Sequence, residues 1–228
     1  MTRTIITLFT ILSIFLVSNV SAANTPLEKP QLDRDYLSKK IEHFKVDRLK
    51  FHEAVEELAS DYHIPIGIVV NDIIILDERN QLVSVDLSDA TVKEILDALL
   101  ASSPHYKMEV VNNVINLYPS DGKNLLFDAI LSTKIDTFVI HKSQSRLSVR
   151  QELLRHPAVE HVASQYNVSS LVLDFGCGFQ NCYVGGNPEF SVVLRNVTVL
   201  EILNYLLAES GMVFWRAFNS GNYFTIVF

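Results

Sequence analysis

Two cysteines and seven histidines are the side chains of this sequence best suited to metal binding, redox exchange or nucleophilic chemistry. Both cysteines, Cys177 and Cys182, lie in the glycine-rich stretch GCGFQNCYVGG, residues 176–186. This stretch is compatible with a metal clip, a redox pair or a loop pinned by a disulfide. Structural zinc needs four ligands, and a thioredoxin-like pair has two residues between its cysteines. Here there are two thiols with four residues between them, which favours a structural loop.

The histidines do not form a recognisable metal-binding or catalytic motif. His156 and His161 are five residues apart, whereas metal-binding helices place their histidines four apart on one face. The other histidines are isolated in sequence, and no HExxH, Gly-x-Ser-x-Gly or phosphate-binding glycine motif is present. We therefore predict no catalytic residue, no metal, no cofactor and no enzymatic activity.

The N-terminal residues 1–22 have the three-part layout of a secretory signal peptide. Arg3 is followed by a thirteen-residue apolar run and then by the small residues VSA. That run is shorter than the roughly 20 residues that a membrane-spanning helix needs. We expect cleavage between Ala22 and Ala23, export of the mature chain, and at most a peripheral association with the membrane.

The charge balance argues against a nucleic-acid partner. The whole chain has a net charge of -7. Removing the predicted leader takes away Arg3 and no acidic residue, so the mature chain is more acidic still. An acidic protein is repelled by phosphate backbones.

The sequence contains an internal duplication. Residues 84–112 align without a gap with residues 191–219, and 13 of 29 positions are identical. Two upstream segments also match: AVEELASDY with AVEHVASQY, and LSKKIEHFKV with LSTKIDTFVI. The offset between the copies grows from 94 to 104, 107 and finally 109 residues, so the second copy carries short insertions between its periodic segments. One of them contains the cysteine stretch.

Each copy predicts the same secondary structure. Apolar residues recur at helical spacing in TVKEILDALLAS and in TVLEILNYLLAE, and both segments open with the Thr-x-x-Glu pattern of a helix-capping box. An earlier helix is predicted in FHEAVEELASDY, with strands in the alternating or apolar β-branched runs between the helices.

The predicted fold class is α+β. We expect two tandem copies of a two-layer βαββαββ sandwich, each a small sheet with two helices on one face. The first copy covers residues 37–119 and the second residues 131–228. Residues 23–36 and 120–130 are predicted linkers.

This pattern resembles the short N-terminal domain of secretins and TonB-dependent receptors, the secretin and TonB N-terminus domain. The resemblance rests on FHEAVEELASDYHIPIGIVV, on the following VSVDLSDATVKEILDALLASSPHYKMEVVNNVINLY, and on the second-copy counterpart FSVVLRNVTVLEILNYLLAESGMVFWRAFNSGNYFTIVF. It covers nearly all of residues 37–228. Members of this family usually carry the domain ahead of a long outer-membrane barrel, whereas this sequence ends after the second copy.

The resemblance implies a stand-alone periplasmic docking or adaptor protein. Its expected partner is a protein of the cell envelope, either secretin-type or an inner-membrane component, in a secretion, pilus or uptake-signalling assembly. In an oxidising periplasm Cys177 and Cys182 are expected to pair as a structural disulfide.

Differences between the copies point to a surface specific to the second one. Charged or small residues of the first copy are replaced there by apolar or aromatic residues on positions predicted to face outward. These residues and the aromatic Tyr223 form the predicted partner-binding surface: Val193, Leu200, Tyr205, Phe214, Phe218 and Tyr223. An alternative is that these residues pack internally against the first copy, the N-terminal segment or an extra helix around LSVRQELLRH. A further alternative is a small ligand or cell-wall glycan bound by Phe214, Trp215 and Tyr223, although Trp215 is phased inward.

Overall fold

The computed structural model describes residues 35–70, 82–120, 125–170 and 188–228. The predicted leader, nearly all of the first linker, and Cys177 and Cys182 with their loop lie outside the described residues. Signal peptide and disulfide therefore stay predictions.

The first half of the chain has the predicted order of strands and helices, preceded by a 3-10 turn at Tyr36–Ser38. Its elements are β1 (Lys40–Leu49), α1 (Phe51–Tyr62), β2 (Ile66–Val70), β3 (Val83–Thr91), α2 (Val92–Ser102), β4 (Tyr106–Val111) and β5 (Val114–Pro119).

The second half repeats this order with additional helices. Its elements are α3 (Leu125–Ser132), β6 (Lys134–Ile140), α4 (Arg146–Leu154), α5 (Pro157–Gln165), β7 (Ser169–Ser170), β8 (Val192–Thr198), α6 (Val199–Ser210), β9 (Phe214–Ser220) and β10 (Tyr223–Val227). Together the two halves make an α+β fold, as predicted. No helix among the described residues is long and apolar enough to cross a membrane.

Helix α3 lies where a linker, residues 120–130, was expected. Its apolar residues Phe127, Ile130 and Leu131 are buried in the core of the second half. The helix is therefore part of the folded unit, and all the described residues belong to one compact unit.

The strands form three sheets. Among the described residues, β1 pairs only with β3 and β6 only with β8, as two antiparallel ribbons that we call the first and second ribbon. The other strands form one six-stranded sheet in the order β4-β5-β2-β9-β10-β7. This differs from the predicted separate sheet for each copy, because each half divides its strands between a ribbon of its own and the shared sheet.

The halves join where β2 lies beside β9. The two strands are parallel, with Ile66 opposite Phe214 and Val70 opposite Phe218. We call this contact between β2 and β9 the joint. Parallel strands need a long connection, and here that connection is everything from β3 to α6.

The helices of the two halves cover opposite faces of the shared sheet. Successive side chains of a strand point to opposite faces, and on β2 Ile68 enters the core formed with α1 and α2, whereas Val69 enters the core formed with α3 to α6. On β9, Trp215 belongs to the second of these cores, while Phe214 packs on the first. Each half therefore contributes side chains to the core of the other.

The capping boxes predicted from the sequence are present at both aligned helix starts. In α6 the Glu201 backbone N–H donates to Thr198 Oγ1 at 3.2 Å, and the Thr198 backbone N–H donates to Glu201 Oε2 at 2.8 Å. In α2 the corresponding distances between Thr91 and Glu94 are 3.2 and 2.7 Å. These bonds satisfy backbone donors that have no partner within the helix.

Thr198→Ala is expected to lower the free energy of unfolding by about 1 kcal/mol, because it removes the acceptor for the Glu201 backbone N–H. Thr198→Ser, which keeps the hydroxyl, is expected to lose less. Urea unfolding followed by circular dichroism measures both. Equal losses for alanine and serine would contradict the capping role and point to the lost methyl group instead.

Candidate functional site

The outer face of the second ribbon carries an exposed apolar pair. Val139 on β6 lies directly opposite Val193 on β8. Val193 is 44% exposed, while Val139 is half-buried. Cross-strand neighbours on one face contact each other, so the two valines form a continuous apolar surface.

The aligned position of the first ribbon carries an ion pair instead. Lys45 lies opposite Asp86, with Lys45 Nζ 3.0 Å from Asp86 Oδ2. The hydrogen bond from Lys45 lowers the pKa of the Asp86 carboxyl, and the same bond raises the pKa of the Lys45 ammonium. The pair's contribution is therefore lost as pH falls through the lowered Asp86 pKa or rises through the raised Lys45 pKa. The two valines of the second ribbon therefore occupy the positions that hold a hydrated ion pair in the first.

An exposed arginine lies beside the valine pair. Arg195, on β8 opposite Thr137, is exposed and has no side-chain partner among the described residues. Arginine is enriched at the energetically important positions of protein interfaces. The second ribbon thus presents an apolar and basic surface on a chain with a net charge of -7.

The strands of the second ribbon also have unpaired edges within the described part of the chain. β6 pairs there only with β8, and β8 only with β6, so each strand has a second edge whose backbone N–H and C=O groups are not used in the ribbon. Such an edge can accept an added strand from a partner.

The residues predicted to form the partner-binding surface separate into three environments. Val193 and Tyr223 are exposed, by 44% and 51%. Phe214 and Phe218 are half-buried and pack on the core of the first half. The internal alternative therefore applies to these two phenylalanines, because β9 lies within the sheet.

Leu200 and Tyr205 lie in the third environment, on helix α6. Both are half-buried against the core of the second half. The Tyr205 ring lies 5.8 Å from the Phe190 ring in an edge-to-face arrangement. Phe190 precedes β8, so residues just before that strand shield Tyr205.

The aromatic face considered for a glycan is not assembled. Trp215 is fully buried, Phe214 contacts the core of the first half, and only Tyr223 of the three is exposed. A sugar ring stacks on accessible aromatic faces, and here two of the three rings are occupied by internal packing.

A cluster of side-chain hydrogen bonds at the joint links the two halves. The indole N–H of Trp215 donates to Asn204 Oδ1 at 3.1 Å, and Asn204 Nδ2 donates to the Val111 carbonyl at 3.2 Å. Asn204 and Trp215 are both fully buried. The amide on α6 therefore connects a tryptophan of the second half to the end of β4 in the first half.

Gly67 makes room for the tryptophan. It lies opposite Trp215 in the joint, and a Cβ at position 67 would lie 2.0 Å from Trp215 Cε2. A glycine inside a strand marks a close approach of this kind. The glycine inside the apolar run IPIGIVV is a sequence signal that could have indicated such a close approach, although it does not identify the side chain that approaches.

The joint also contains a charge contact. Arg216 Nη1 lies 3.5 Å from Glu56 Oε2 of α1, and both side chains are partly buried. The Arg216 guanidinium carbon lies 5.5 Å from the centre of the Phe218 ring, within cation–π range. Arg216 therefore holds β9 against the first half through Glu56, and the Phe218 ring does so by packing on the core of that half.

Comparisons with known proteins identify no relative. No protein-family model, curated protein or solved structure gave a significant match to this chain. Within the described residues, no cluster of three or more His, Cys, Asp or Glu side chains is arranged to hold a metal ion. The chemistry of the second ribbon is therefore the basis for a functional proposal.

Proposed function

We propose that this chain is a non-enzymatic docking protein of the periplasm. It binds a protein partner in an envelope-spanning secretion, pilus or uptake-signalling assembly, and the outer face of the second ribbon is the docking surface. The observation that carries the proposal is the replacement of the Lys45–Asp86 ion pair by the Val139–Val193 pair. An exposed apolar patch bordered by polar residues is a mark of protein interfaces.

Two further features support the same surface. Arg195 provides an unpaired base beside the valines within the described region, and the free edges of β6 and β8 offer backbone groups for strand addition. Strand addition supplies affinity through backbone hydrogen bonds and specificity through alternate side chains. The resemblance to secretin and TonB N-terminus domains and the leader-like residues 1–22 support the periplasmic location.

Val193→Asp is expected to abolish partner binding with little effect on folding. An aspartate at a position 44% exposed costs about 0.5 kcal/mol or less, but it introduces a charge into the centre of the apolar pair. The measurement is co-purification of a membrane-complex component from envelope extracts. Val110→Asp is the matched control, since Val110 is 48% exposed on β4, away from the second ribbon.

Val139→Lys combined with Val193→Asp separates docking from stability. This double variant rebuilds the ion pair of the first ribbon in the second, so folding should be retained while binding is lost. Binding that survives in the double variant, or is lost equally in Val110→Asp, would remove the second ribbon as the docking surface. Recovery of no envelope component by the unaltered protein would count against the function itself.

A further inference from the structure

In the joint the two copies lie head to tail, with the first half against the edge of β9. The strand of the first half that corresponds to β9 lies at the margin of the sheet. In the aligned copies β4 corresponds to β9, and β4 is the terminal strand of the six-stranded sheet. Strand β9 receives β2 along one edge. The corresponding edge of β4 is unpaired within the described residues. Repeating the same contact there with another molecule would extend the sheet into a polymer, as heterologous interfaces do when they do not close.

The side chains that make the joint are replaced on β4. Three alternate residues of β9 face the first half: Phe214 and Phe218 pack on its core, and Arg216 contacts Glu56. The aligned residues of β4 are Lys107, Glu109 and Val111. Lys107 and Glu109 are both exposed. β4 thus carries a lysine where β9 has an aromatic contact, and a glutamate where β9 has the arginine.

The carboxylate that Arg216 contacts, in contrast, is present in both copies. Glu56 in AVEELASDY aligns with Glu160 in AVEHVASQY, and Glu160 on α5 is exposed. If the second half of another molecule approached β4 as the first half approaches β9, Glu160 would face Glu109. The attraction between Arg216 and Glu56 would become repulsion between two carboxylates.

We infer that Lys107 and Glu109 close the β4 edge to a second copy of this chain, so that head-to-tail stacking stops after two units. Charged residues on edge strands are a general protection against edge-to-edge association. Here the protection acts against this particular contact. Glu109 is negatively charged, whereas the aligned Arg216 of the joint is positively charged. The inference is independent of the docking surface on the second ribbon.

The test grafts the side chains of β9 onto β4. Sedimentation velocity at low ionic strength should show the unaltered protein as a monomer. Lys107→Phe combined with Glu109→Arg should shift part of the monomer to larger species, because β4 then carries two of the three β9 side chains that face the first half and the new guanidinium at position 109 faces Glu160. Adding Glu160→Arg should restore the monomer, since two guanidinium groups then face each other. High salt should also restore it by screening the charge pair.

Two further variants keep the inference open to refutation. Lys107→Phe alone measures association caused only by the added apolar surface, and it should remain largely monomeric. Glu160→Arg alone changes only an exposed position of α5 and turns the repulsion at Glu109 into attraction. Its self-association at low salt should therefore exceed that of the unaltered protein, while Lys107 keeps it below that of the grafted protein. Association of the unaltered protein would overturn the inference. So would a grafted protein that stays monomeric, or one whose association survives Glu160→Arg.

Discussion

Gly67→Ala is expected to lower the free energy of unfolding by about 3 kcal/mol, the cost of overpacking a close-packed core. The added Cβ would lie 2.0 Å from Trp215 Cε2, 2.3 Å from Cζ2 and 2.4 Å from Nε1. The indole cannot move aside cheaply, since it is fully buried and its N–H is bonded to Asn204. Separation of β2 from β9 relieves the clash, so the joint should open.

Trp215 itself provides the measurement, because it is the single tryptophan of the chain. Its fluorescence during urea unfolding reports the joint directly. Gly221→Ala is a useful control: a Cβ there meets nothing within 4 Å, but φ is +57°, so only a backbone cost of about 1 kcal/mol is expected. Similar losses for the two variants would mean that the contact with Trp215 is unimportant.

The clash can also be isolated by a second substitution. Trp215→Leu in the Gly67→Ala background removes the ring that the new methyl group meets. The double variant should lose less free energy of unfolding than the sum of the losses in the two single variants. A double-mutant cycle measures this difference. Strict additivity would contradict a direct contact. Circular dichroism replaces fluorescence for the variants that lack tryptophan.

Asn204→Ala is expected to lower the free energy of unfolding by about 2 kcal/mol, because it leaves one buried and one partly buried polar group without their partner. Those groups are the Trp215 indole N–H and the Val111 carbonyl. Both bonds cross from α6 to other elements, and one of them links the two halves. The loss should therefore appear in the unfolding of both halves together, measured by tryptophan fluorescence and circular dichroism in parallel.

The duplication supplies a matched control for Asn204. Asp97 occupies the aligned position on α2, where its side chain is 50% exposed and pairs with Lys93. Exposed i,i+4 pairs contribute little, so Asp97→Ala should change stability by about 0.5 kcal/mol or less. If Asn204→Ala were equally mild, the buried amide would not be holding the joint.

Local features of the fold could be predicted from the sequence because they depend on neighbouring residues. Helical and strand periodicity gave the α+β class and the order of elements, and the Thr-x-x-Glu pattern gave both helix starts. The duplication predicts which elements correspond: α2 begins at Val92 and α6 at the aligned Val199. These signals lie within a few residues of one another.

The joint could not be predicted in the same way. Strand alternation divides side chains between two faces of a strand, but it does not say which strand of another unit lies beside it. Phe214 and Phe218 are aromatic where the aligned residues of the first copy are charged or smaller. That difference is compatible with an external partner or with an internal contact. The structure gives both an internal contact. Val193 stood out for the same reason, and it is exposed.

The parallel pairing of β2 with β9 affects the order in which the chain can fold. Ile66 and Phe214 are separated by about 150 residues, so bringing them together costs about 1 kcal/mol more loop-closure entropy than pairing Ile66 with Ile115, about 50 residues away, within the first half. Contacts of such long range slow folding and form after local ones have compensated their entropic cost. The strands and helices of each half come together over shorter separations than Trp215 and Gly67 do. We therefore expect closure of the joint, which completes both cores, to be a late step of folding.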